Sequence, residues 1–146
     1  MYTNSNQGGV GRIRVFRQNT LAIATSLTTL AWDATSSLVT ANASFSRTGG
    51  DIVANEKGLC NLNVNVVVPG ALLLASVRLR VQSNGVSVFD NTDTRTVGGQ
   101  QIIQCNIDFD VLPTHVIRCD CTIGGLASAN VGLGDIVTFA SAKLFV

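Results

Sequence analysis

Asp108 and Asp110 stand two residues apart in Ile107-Asp108-Phe109-Asp110-Val111. In an extended chain both carboxylates share one face, where such a pair could hold calcium or divide acid and base work. Their neighbours are apolar, so the simpler reading is a solvated outer face on a strand whose other side is buried, and that reading is preferred. Asp90, Asn91 and Asp93 form a second oxygen-rich group, which turn chemistry explains, because Asp and Asn side chains bond their own backbone in turns. The one histidine, His115, follows Pro113 at a predicted strand start, and no nucleophile motif such as GxSxG accompanies it. No residue is assigned a catalytic role, and the chain is not expected to be an enzyme.

The four cysteines, Cys60, Cys105, Cys119 and Cys121, all fall on the apolar register of their strands and are expected as buried free thiols. Cys119 and Cys121 lie two strand positions apart, roughly 7 Å, too far for an unstrained bridge between them. With no CxxC spacing and a single His, no metal site and no cofactor are predicted. Gly8-Gly9-Val10-Gly11 has the look of a phosphate loop but follows no strand and opens no helix. Asn42-Ala43-Ser44 is an N-glycosylation sequon, read as chance in a chain whose first residues carry no secretory signal.

The elements that must position these side chains are strands. In Leu-Cys-Asn-Leu-Asn-Val-Asn-Val, residues 59–66, Cys60, Leu62, Val64 and Val66 fall on one face and Asn61, Asn63 and Asn65 on the other. The alternation returns at Val77/Leu79/Val81, at Ile103/Cys105/Ile107/Phe109/Val111 and at Ile117/Cys119/Cys121/Ile123. Strands are predicted near 12–17, 20–31, 38–46, 51–54, 59–68, 72–82, 86–90, 101–111, 115–123 and 135–145. Between them lie Gly49-Gly50, Pro69-Gly70, Gly98-Gly99, Leu112-Pro113 and Gly124-Gly125, and Asn84-Gly85 predicts a hairpin with a primed turn. The expected fold is all-β: an antiparallel jelly-roll β-sandwich of about ten strands. An immunoglobulin-like sandwich is the rival, but Trp32 comes too early and the cysteines are misplaced for its Cys, Trp, Cys order.

At 146 residues the chain suits one core. Its 13% of charged residues is about half the usual share, so neutral or apolar surface is left over, and such surface usually marks an interface. Arg12, Arg14 and Arg17 are the only charges in the first eighteen residues. Residues 1–18 are therefore read as an extended N-terminal arm, with 19–146 as the jelly-roll domain. Arg12, Ile13, Arg14, Val15, Phe16 and Arg17 are the expected partner contacts of that arm, and Asn61, Asn63 and Asn65 a possible subunit interface. Three arginines interleaved with apolar residues are too sparse for a nucleic-acid-packaging arm, so direct nucleic-acid contact is not expected. No apolar run is long enough to span a bilayer, and no membrane association is predicted.

Asp51 to Cys60, in which Gly58 precedes the alternating strand to Val68, resembles a landmark of the tumour necrosis factor and complement globular-head superfamily. There a short strand runs through a Gly into a long core strand. Ser76–Asn84, Ile102–Val111 and the closing stretch Ile136–Phe145 continue the resemblance, which covers about residues 28–146. It implies a trimeric jelly roll. The chain also resembles, as a type, the capsid decoration (cement) proteins of tailed phages and small viral coat proteins. The leading expectation is a homotrimeric, non-enzymatic virion protein, made in the host cytoplasm, that docks on a major capsid protein. The alternatives are a secreted or surface ligand-binding head of the complement/tumour necrosis factor type and a small coat protein enclosing nucleic acid.

Overall fold

The computed structural model describes residues 10–38, 43–70, 76–94, 96–97, 99–125 and 128–146. Its elements in chain order are β1 (Val10–Phe16), β2 (Ala22–Ala24), β3 (Thr28–Thr29), β4 (Ala34–Thr35), β5 (Phe45–Thr48), β6 (Asp51–Ala54) and β7 (Gly58–Pro69). They continue with β8 (Ser76–Ser83), β9 (Val86–Asp93), β10 (Thr96–Val97), β11 (Gln100–Val111), β12 (Val116–Gly124), β13 (Ser128–Asn130) and β14 (Phe139–Phe145). No helix occurs among the described residues, and none is therefore long and apolar enough to cross a membrane.

Two antiparallel sheets carry the fold. The first has the order β10-β11-β7-β14-β1-β4 and the second β5-β6-β12-β8-β9. Val116 and Ile117 of β12 pair with β6, while Asp120 and Cys121 pair with β3 on that same side. β2 and β13 form a separate ribbon. The alternating residues do what their types dictate. Cys60, Leu62, Val64, Val66, Ile103, Cys105, Ala140, Ala142 and Leu144 from the first sheet are buried, as are Ile52, Val77, Leu79, Val81, Ile117, Cys119, Cys121 and Ile123 from the second. Trp32, Leu30 and Ile23, from the segment after β1, join this core. The antiparallel sandwich agrees with the expected all-β jelly roll.

The N-terminal segment departs from expectation. β1 is an interior strand, paired along its whole length with β14 and, at Val15 and Phe16, with β4. Ile13 is 2% exposed and Val15 0%. The boundary after residue 18 is therefore a correction: residues 10–17 belong to the body because their apolar alternation fits the core. Residues 1–9, including Gly8 and Gly9, lie outside the described residues, as does Asn42 of the sequon.

Other boundaries also shift. The predicted strand 20–31 is two short pieces, β2 and β3, and the predicted strand 135–145 begins only at Phe139, because residues 134–137 turn. Asp90, Asn91 and Asp93 are in strand β9 rather than in a turn, since Arg80 stands opposite Asp90 and Arg78 binds it. The hairpin at Asn84-Gly85 forms with φ of 50° and 82°, the left-handed pair that its residues tolerate.

Candidate functional site

The outer face of the first sheet gathers the residues with surface chemistry. Register sets them in rows across the strands. One row runs Asp108, Asn61, Lys143, Arg12 and the next Asn106, Asn63, Ser141, Arg14. Asn63, Arg12, Arg14, Ser141 and Lys143 line a shallow concavity of about 410 Å³ here. Apolar side chains bound these rows: exposed Leu59 and Phe145 pair at one end, while half-buried Phe139 and Phe16 pair at the other.

The three asparagines divide. The Asn61 side-chain amide donates to Asn106 Oδ1 at 2.9 Å and to Asp108 Oδ1 at 2.7 Å, tying β7 to β11 across the surface. Asn63 is exposed. Asn65 is 8% exposed, donates to the Val137 carbonyl at 2.5 Å and accepts from Gln104 Nε2 at 2.8 Å. Asn65 is therefore corrected from an interface candidate to a structural clamp, because the turn before β14 folds over it.

The three arginines divide too. Arg14 donates from Nε and Nη2 to the Asp135 carbonyl at 2.9 and 2.7 Å and lies 3.7 Å over the Phe139 ring. Asp135 in turn accepts from Ser36 Oγ at 2.8 Å, so the turn before β14 is locked against β1 and β4. Arg17 is 7% exposed and donates to the carbonyls of Ala31, Asn19 and Thr20, with Asp33 3.6 Å away. Asp33 accepts the backbone N–H groups of Gln18 and Asn19 at 2.7 and 3.0 Å. Burial raises the Asp33 pKa, but these two amides and the Arg17 charge outweigh it and hold the carboxyl below its ordinary value. Ile13, Val15 and Arg17 are thus withdrawn as partner contacts, because each is spent inside the molecule. Arg12 stays exposed on the face.

Asp108 and Asp110 are exposed, as expected of an outer strand face. No group of three or more His, Cys, Asp or Glu able to hold a metal occurs among the described residues. His115 Nδ1 accepts the backbone N–H of Leu112 at 3.2 Å and so closes the turn between β11 and β12. The cysteines are free and buried. Burial, then the Asp108 charge, pushes the Cys60 thiol up to about 12, and burial takes Cys105 up to about 12; Cys119 and Cys121 are raised too, burial again leading. Such thiols stay protonated and do not act as nucleophiles.

The second sheet handles charge differently. Arg78 bonds Asp90 through Nε at 2.7 Å and Nη2 at 2.6 Å, Arg80 meets Asp120 at 3.1 Å, and Arg118 meets Asp51 at 2.9 Å. These three guanidiniums have their carboxylates within the chain, whereas Arg47 of β5 donates to Thr35 Oγ1 at 3.1 Å and to the Trp32 carbonyl at 3.3 Å.

No family model matches the chain, and no curated protein matches it either. Solved structures do. Murine APRIL aligns over 93% of this chain and 99% of its own at a TM-score of 0.70 with 11% identity. The fold is the jelly roll of the TNF/C1q type. Eiger TNF from S. frugiperda covers 94% of both chains at a TM-score of 0.67 and 8% identity. The globular domain of zebrafish complement 1qA covers 93% of this chain and 97% of its own at 0.65 and 13%. At such identities the likeness is one of fold. In this TNF/C1q-type jelly roll, Gly58 opens the long core strand β7, which is where the sequence placed its landmark. Sequence reasoning named Phe16 but missed the other aromatics of the outer face, Phe139 and Phe145. The signal was present, since Phe139, Ser141, Lys143 and Phe145 alternate with the small core residues Ala140 and Ala142.

Proposed function

We propose that the chain is a non-enzymatic structural head that assembles as a homotrimer through the outer face of its first sheet. The observation that carries this reading is the make-up of that face: amides and a hydroxyl at its centre and exposed Leu59 and Phe145 at one end, in a chain with 13% charge. A sheet face with apolar ends is favoured when covered. The TNF/C1q-type fold supports a trimer, as the resemblance implies.

The specific role we infer is capsid decoration: a small, low-charge β body seated on the major capsid protein of a virion. Low charge, with exposed Leu59 and Phe145 on one sheet face, supports it. Arg12 of β1 is exposed on the outer face of the first sheet. The fold likeness itself favours a second reading, a ligand-binding head of the complement/tumour necrosis factor type. Immunogold labelling of intact particles from producing cells, with antibody against the folded chain, separates the two. Label on the outer surface of shells is expected. Particles free of the chain, with the protein instead in the medium or on cells, would contradict decoration and support the ligand-binding head.

A further inference from the structure

The row Asn63, Ser141, Arg14 crosses three adjacent strands, β7, β14 and β1, and Lys143 stands on the same face two residues along β14 from Ser141. Neighbouring strands lie about 4.8 Å apart and same-face residues of one strand about 7 Å, so the four side chains surround one spot. All four line the shallow concavity of that face, and no carboxylate of a described residue joins them there. Arg12 also borders it but has an interaction within the chain.

Each of the four offers a donor. Arg14 uses Nε and Nη2 on the Asp135 carbonyl and lies over the Phe139 ring, which fixes the guanidinium plane and leaves Nη1 with no described acceptor. Among the described residues Lys143 has no ion pair, and the Asn63 amide and Ser141 hydroxyl have no hydrogen-bond partner. Asp108, in the next row, accepts from Asn61 at 2.7 Å, and the Asp135 carboxylate accepts from Ser36 Oγ at 2.8 Å. Two cations, an amide and a hydroxyl therefore share one concavity without an acid to answer them. A guanidinium held in a fixed plane suits an oxyanion, because its N–H groups are already aimed.

We infer that this concavity is a binding site for a phosphate group, held by Arg14 Nη1, Ser141 Oγ, Asn63 Nδ2 and Lys143 Nζ. A tetrahedral group points its oxygens in several directions and so meets donors from three strands, whereas a carboxylate offers two oxygens in one plane. The site stands on a single chain, and its consequence for assembly rests on the homotrimer reading. A face covered by copies takes Arg14 and Lys143 out of water, which is costly for a charge with no partner. A bound anion supplies that partner and so favours the assembled state.

Isothermal titration calorimetry of the 146-residue chain with inorganic phosphate, at low salt in a buffer holding no other oxyanion, tests the site. Binding with a Kd of about 1 mM or below is expected. Lys143→Gln should weaken it about tenfold and Ser141→Ala about threefold. Lys57→Gln, which removes the same charge from an exposed position outside the concavity, should leave it unchanged. A wild type that binds no phosphate would overturn the site, as would equal affinities for Lys143→Gln and Lys57→Gln, the mark of diffuse charge attraction. Glycerol 3-phosphate separates the two sources of the group: binding of both probes assigns the site to phosphate esters, binding of inorganic phosphate alone to the ion itself. Sedimentation equilibrium in phosphate and in chloride at equal ionic strength then reads the consequence, with tighter association expected in phosphate. A chain that binds phosphate yet stays monomeric would overturn the homotrimer reading and leave the site standing. A chain that associates without binding phosphate would do the reverse.

Discussion

At the scale of single residues, Arg17 and Asp33 show how partners decide a role. In the sequence Arg17 is one of three cations among apolar residues, with nothing to mark it off from Arg12. In the fold it turns inward and gathers carbonyls from a loop 14 residues away, while Asp33 closes the loop from the other side. That difference was not legible, since it depends on where residues 18–33 return. The depressed Asp33 carboxyl implies a pH dependence of definite sign. Its stabilisation is present above the ordinary carboxylate value of 3.8 and is lost as pH falls through the lower folded value. Asp33→Asn should therefore cost about 1 kcal/mol at neutral pH. Thermal melts against pH should show its gap from wild type closing in acid. A gap that persists in acid would contradict the clamp.

At the scale of elements, the long strands were legible because each has a strict two-residue period with one face buried. β7, β11 and β12 fall within a few residues of where alternation put them. The short ones were not. β2, β3 and β4 have two or three residues each, too few to show a period, and they exist because β13, β12 and β1 in turn offer them edges to join. β1 was legible as a strand but not as an interior one, since a strand lining an arm and a strand completing a sheet share a pattern. Gly58 tests how closely β14 is laid on β7. A Cβ at that position would come within 2.5 Å of the Phe145 carbonyl oxygen and 3.0 Å of Leu144 Cδ1. Gly58→Ala should lower stability by about 2 kcal/mol, with faster amide exchange at Leu144 and Phe145 before the rest of the strand. Protection at the end of β14 equal to wild type would show that the strands can part locally without cost.

At the scale of the whole molecule, charge is distributed by sheet. The second sheet neutralises Arg78, Arg80 and Arg118 with carboxylates of the chain, and the first presents acids at its edge and cations across its face. Composition made the shortage of charge plain, but the segregation emerges only when Asp108, Asn61, Lys143 and Arg12, from four separate stretches of chain, fall into one row. The candidate face was half-legible for the same reason: the asparagines of β7 could be seen alternating, whereas the burial of Asn65 depends on the turn before β14. The central claim is that this face is covered by copies of the chain, and the mass of the 146-residue chain in solution tests it most directly. Sedimentation equilibrium at micromolar concentration should give about 46 kDa, three times the 15.3 kDa chain; a single species of 15.3 kDa over the whole concentration range would contradict it.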